Sequence, residues 1–183
     1  MALAIPAAVG LSVLSNIIIQ VLSTPEIAAN GYFVTPFITA SIVLFGIYSI
    51  IANILLINKK TQLIGSLWFF AAISNVVLNF ILIPIIGILG AAISTLVAYT
   101  IVFIISVFYS SKYIKFDFDL PFIGKSIISA FIMSLIIIKF YPSNVLYLLI
   151  VIGVSSIIYI AILTLLKGFK KDEIEFFKEM LKL

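Results

Sequence analysis

The chain has 183 residues, 64% of them hydrophobic and only 10% charged, with a formal net charge of +4 and a mean hydropathy of +1.36. A soluble domain carries roughly 25% charge, so too few polar residues remain to build a water-facing surface, and a soluble fold is excluded. The chain has no Cys and no His, which removes disulfides, thiol chemistry, the commonest metal ligand and His-based catalysis. With no glycine-rich phosphate loop either, the sequence points to no enzyme, no cofactor and no metal.

Apolar runs of about 20 residues, at 1.5 Å per residue, are long enough to cross a hydrocarbon core of about 30 Å. Six are predicted in chain order: span A over residues 2–22, B over 33–57, C over 63–83, D over 88–109, E over 122–140 and F over 145–166. All six are expected to be helices, since an open sheet edge leaves backbone groups unsatisfied in lipid. The apolar/polar alternation of a barrel strand is absent. The expectation is an all-α polytopic membrane protein, with a six-helix bundle over 1–167 and a cytoplasmic tail over 168–183.

Span A starts at once from Met1, with no basic flank and no polar cap. It lacks the positive n-region and cleavage site of a signal peptide. It reads as a mature helix whose upstream neighbours are missing, or as the bare start of a short membrane protein. Thr24-Pro25-Glu26 has the pattern of a helix start, with Thr as N-cap, Pro at the first position and an acid in the first turn. A short surface helix is expected there, closed at Gly31 in the left-handed conformation. Pro36 opens span B.

Spans C and D form a hairpin. The first apolar run ends at Pro84, and a turn carrying Gly87 and Gly90 leads directly into the second. No charge lies within it, so both spans must return to one side of the bilayer. Gly87, Gly90, Ala91 and Ser94 are small, and small residues let helices approach closely. They are the helix-packing candidates. In the tail, Asp172 and Glu175 make a capping-box variant. In the helix they open, an apolar face of Ile174, Phe176, Phe177, Met180, Leu181 and Leu183 opposes a charged one, as in a helix lying in the membrane interface.

Lysine placement predicts orientation. Lys59, Lys60, Lys112, Lys115, Lys125, Lys167, Lys170, Lys171, Lys178 and Lys182 fall on one side, and Lys139 alone on the other. The positive-inside rule makes the rich side, and both termini, cytoplasmic. The net charge then needs no nucleic acid to explain it.

Polar residues within the spans are the candidates for function. Ser12, Asn16 and Gln20 are spaced as one stripe on span A, Ser49 and Asn53 on span B, and Asn75 and Asn79 on span C. Thr95 and Tyr99 share a face of span D. Each set fits two readings: hydrogen bonds between helices, or a wet cavity contacting sugar hydroxyls. Lys125 and Lys139 border span E about 21 Å apart on nearly one face. They fit snorkelling stems or contact with a pyrophosphate group. Asn16, Gln20, Asn75, Asn79 and Lys125 are the substrate-path candidates.

The stretch NVVLNFILIPIIGILGAAISTLVAY, with ALAIPAAVGLSVLSNIIIQVLS, PEIAANG and GIYSIIANILL before NKKT, resembles the C-terminal portion of an oligosaccharide or polysaccharide flippase. Such proteins belong to the multidrug/oligosaccharidyl-lipid/polysaccharide exporter superfamily, with MATE efflux pumps and lipid II flippases. The resemblance implies that spans A to F match helices nine to fourteen of a two-lobed, alternating-access transporter. It implies a lipid-linked oligosaccharide as cargo, membrane lipid as surroundings, and an N-terminal lobe supplied by a longer parent or a partner chain. In the lipid II branch the last two helices help form a groove for the lipid tail, and spans E and F take that position. A MATE-type drug/cation antiporter fragment and a non-transporting subunit of an envelope complex are the alternatives.

Overall fold

The computed structural model describes residues 1–116 and 119–169. The chain is all-helical there, with no strand among the described residues: α1 Ala4–Val13, α2 Ser15–Leu22, α3 Pro25–Gly31, α4 Thr35–Ile57, α5 Thr61–Ile86, α6 Ile88–Ser110, α7 Leu120–Lys139 and α8 Val145–Leu165. Among the described residues, α4 to α8 are each long and apolar enough to cross a membrane. The protein is therefore a multi-pass membrane protein. Spans B to F correspond to these five helices, with ends shifted by three residues or fewer. The amphipathic tail helix expected beyond residue 171 lies outside the described residues.

Span A is corrected. It is not one straight helix but α1 and α2, bent by 72° at Leu14. At the bend the Ser12 hydroxyl donates to the Ala8 carbonyl at 2.6 Å, and the Ser15 hydroxyl donates to the Ser12 carbonyl at 2.8 Å. Such bonds loosen a helical turn, but they also occur in the unbroken α4 and α6, so they favour the break without enforcing it. The pair counts as a sixth span only if the two pieces cross together.

The short helix α3 begins after Thr24, whose backbone is extended as an N-cap requires, although its side chain makes no capping bond. Its end differs from expectation. Gly31 is not left-handed, and the chain leaves through Tyr32 in the right-handed region. α7 and α8 are capped by side chains. Asp119 accepts from the Phe122 amide at 3.0 Å, and Asn144 from the Tyr147 amide at 2.8 Å, which satisfies donors that a helix start leaves open.

Two helices end alike. After α4 the Lys60 amide donates to the Leu55 carbonyl, and the Lys59 amide to Leu56. After α8 the Gly168 amide donates to Leu163, and the Lys167 amide to Thr164. Both are Schellman caps, whose left-handed position is usually glycine. Here lysines take it, with φ of 58° at Lys59 and 50° at Lys167. Their charges sit where the helix dipole is negative.

The described residues divide into two compact units, one formed by 1–17 with 119–169, the other by 18–116. In the second, α6 packs against both α4 and α5, which scarcely meet one another. Its core joins Tyr48, Ala52, Ala71, Ala98 and Val102, with Trp68 against them. In the first, α7 is the central helix, packed on α1 and α8. Its buried face, Ser126, Ser129, Ala130, Met133, Ser134 and Ile137, is built largely of small residues.

Candidate functional site

The α5–α6 hairpin is organised by two glycines with different tasks. Pro84 does not end the helix. It lies inside α5, where it removes the hydrogen bond the Phe80 carbonyl would accept. The reversal is made by Gly87 alone, with φ 62° and ψ −143°, a backbone region open essentially only to glycine. A Cβ on Gly87 would meet nothing within 4 Å, so Gly87 serves the turn and not packing. Gly90 belongs to the first turn of α6 rather than to the connection. A Cβ there would stand 2.7 Å from the Leu82 carbonyl carbon and oxygen and 2.9 Å from the Ile83 nitrogen. Ala91 is half-buried and Ser94 buried, the latter donating to the Gly90 carbonyl at 2.8 Å.

Across this close approach the two amides that sequence spacing places on one face of α5 reach α6. The Asn79 Nδ2 donates to Asn75 Oδ1 at 3.1 Å, the Asn75 Nδ2 to Thr95 Oγ1 at 3.4 Å, and the Thr95 hydroxyl to the Ala91 carbonyl at 2.9 Å. The relay runs from the middle of α5 into α6. Its far end, Asn79 Oδ1, is buried and accepts no hydrogen bond. Intramembrane bonds of this kind contribute about 0.6–2 kcal/mol each.

Two turns away on the same face of α5, Trp68 makes a contact that spacing alone did not reveal. Its Nε1 donates to the Tyr48 hydroxyl at 2.8 Å, joining α5 to α4. Tyr48 and Tyr99 pack edge-on against the indole with centroids 5.4 and 5.7 Å away, and Phe45 completes the cluster at 5.9 Å. The signal was present, as the single Trp and two tyrosines lie within the spans, but pairing them requires the helix register.

The remaining candidates are dispersed. The bend at Leu14 separates Ser12, at the end of α1, from Asn16 and Gln20 on α2, so the expected stripe is broken; Asn16 is half-buried and Gln20 exposed. Ser49 and Asn53 share an exposed face of α4, the Asn53 Nδ2 donating to the Ser49 carbonyl at 3.0 Å. Lys125 lies near the start of α7, where its Nζ donates to the Lys167 carbonyl at 2.8 Å and ties that end to the cap of α8. Lys139 sits over the Phe140 ring at 5.7 Å. In the same unit the Ser126 and Tyr159 hydroxyls lie close together, both buried, without hydrogen-bond geometry.

Between α7 and α8 is an apolar cavity of about 240 Å³, lined by Ile136, Phe140, Tyr147, Val151, Val154 and Ile158. Among the described residues no group of acids gathers that could hold a metal ion. The chemistry available in the spans is neutral: amides, hydroxyls and aromatic rings. Charges in α4 to α8 are confined to Lys125 and Lys139, near the ends of α7. Compared with protein families, curated proteins and solved structures, the chain shows no significant match.

Proposed function

We propose that the chain is part of a flippase that moves lipid-linked oligosaccharide across the cytoplasmic membrane by alternating access, its six apolar runs corresponding to helices nine to fourteen. The observation that carries this reading is the neutral, hydrogen-bonding character of the span interiors. Sugars are hydrated and uncharged and need donors and acceptors at membrane depth. A drug/cation antiporter needs intramembrane acids to carry protons or sodium, and α4 to α8 contain none. The apolar cavity between α7 and α8 suits a lipid tail. The Lys125 ammonium suits a phosphate better than a cationic drug. The sequence resemblance supports the same reading by analogy. On this reading an N-terminal lobe, in a longer parent or a partner chain, completes the transporter.

The test is complementation of a flippase-deficient strain by the complete transporter. Restored surface glycan is the expected result. Drug resistance without restored glycan would sink the proposal and favour efflux.

Orientation follows from the lysines. With α1 and α2 crossing together as one broken span, both termini and the lysine-bearing connections lie in the cytoplasm. Because the chain has no native Cys, single cysteines report directly. Lys60→Cys and Ser111→Cys should resist a membrane-impermeant thiol reagent in intact cells, while Asn144→Cys should label. Labelling of the first two from outside would reverse the orientation.

A further inference from the structure

The exposed face of α4 has its polar residues in the wrong place for a helix that meets lipid. At 100° per residue, Ile42, Gly46, Ser49 and Asn53 fall within about 60° of arc. All four are exposed. They form the centre line of the exposed face, flanked by Ile50 and Ile57 on one side and Phe45 and Leu56 on the other, all likewise exposed. The buried residues Tyr48, Ile51, Ala52 and Leu55 lie on the other side of the helix. A helix turned to lipid keeps its most apolar residues along that centre line. Here three of its four positions carry an amide, a hydroxyl and a bare backbone, and Ile42 alone is apolar.

The groups on the line are only partly satisfied. Asn53 Nδ2 donates to the Ser49 carbonyl at 3.0 Å and Ser49 Oγ to the Phe45 carbonyl at 2.9 Å. No hydrogen bond reaches Asn53 Oδ1 among the described residues, and an amide oxygen without a partner in hydrocarbon is costly. Gly46 bares the backbone on this line, and a Cβ on it would meet nothing within 4 Å. From Gly46 to Asn53 the line runs about 10 Å and continues towards Asn58, Lys59 and Lys60 at the end of α4.

We infer that the Gly46–Ser49–Asn53 face of α4 lines a water-filled path that opens at the lysine-bearing end of the helix and takes neutral hydroxyl-bearing solutes. The solute class rests on the flippase reading, whereas the wetness of the face does not. The face adds Ser49 and Asn53 to the candidates for cargo contact. Asn75, by contrast, already bonds both Asn79 and Thr95.

The experiment uses the whole chain in permeabilised membranes, with single cysteines at 49, 53 and 60, and at 70 as the lipid-facing control at similar depth. A charged methanethiosulfonate is the probe. Only a thiolate reacts, and a thiol in apolar surroundings stays protonated, so Phe70→Cys should react at least about tenfold more slowly than Ser49→Cys and Asn53→Cys. Rates for both as slow as Phe70→Cys would overturn the inference. So would disulfide cross-linking between copies at these positions, which would place another helix on the face. Ser49→Cys exchanges a single atom, so its rate decides the matter even where Asn53→Cys fails to fold. Failed glycan complementation would remove the flippase reading and leave these rates as they are. Dry thiols would remove the wet face and leave complementation intact.

Discussion

Gly90→Ala should lower the folded yield of the protein, and Gly90→Leu should abolish it. The added Cβ would stand 2.7 Å from the Leu82 carbonyl group. Backbone atoms at the end of a helix cannot rotate aside as a side-chain tip would. Overpacking typically costs about 1–3 kcal/mol, and here relief requires moving α6 off α5. That movement would pull Thr95 away from Asn75 and leave the Asn75 Nδ2 without its acceptor. Gly65→Ala is the control. A Cβ there meets nothing within 4 Å, and a mid-helix Ala is favoured over Gly by roughly 0.5–1 kcal/mol, so stability should hold or rise. Folded yield and thermal midpoint in detergent are the measurements. A Gly90→Ala protein as stable as the parent would refute the close approach.

Trp68→Ala should be the most damaging substitution among the aromatic residues. Truncating a packed Trp or Phe costs about 3–5 kcal/mol, and Trp68 touches Phe45, Tyr48 and Tyr99 while bridging two helices that otherwise scarcely meet. Trp68→Phe separates packing from hydrogen bonding. It keeps a ring and leaves the buried Tyr48 hydroxyl without its donor, at a cost of about 1–3 kcal/mol. Adding Tyr48→Phe removes the stranded hydroxyl as well. The double variant should therefore be less destabilised than the two single losses added together. Strict additivity in thermal unfolding would mean that the bond at 2.8 Å contributes nothing to joining α4 and α5.

Hydropathy was enough to place α4 to α8, because the cost of exposing backbone in lipid leaves helices as the only form such runs can take. It could not distinguish a straight helix from a broken one. The apolar sum over residues 2–22 is the same for either, yet the break at Leu14 splits the Ser12–Asn16–Gln20 stripe. Pro84 was an equally poor guide. It costs the Phe80 carbonyl its partner, yet the helix runs on to Ile86 and the reversal fell to Gly87. The shared face of Asn75 and Asn79 was legible from their four-residue spacing. Their partner Thr95 was not, since it depends on how far α6 slides along α5, a distance set by Gly90. The same holds for Trp68 and Tyr48, which lie 20 residues apart and meet only through the packing of three helices. Ser49 and Asn53 were legible as a pair. That they occupy the centre of an exposed face became clear only once the buried side of α4 was known.

Lys59 and Lys167 hold two offices that a protein usually separates. Each occupies a left-handed backbone position, with φ of 58° and 50°, that costs a residue with a Cβ about 1–2 kcal/mol. Each also belongs to the set of cations from which the side of insertion is read. Replacing either with glycine relaxes the backbone and erases a topogenic charge in the same stroke. A single Lys→Gly change at either helix end would therefore ease the backbone at the expense of a charge that the positive-inside rule counts.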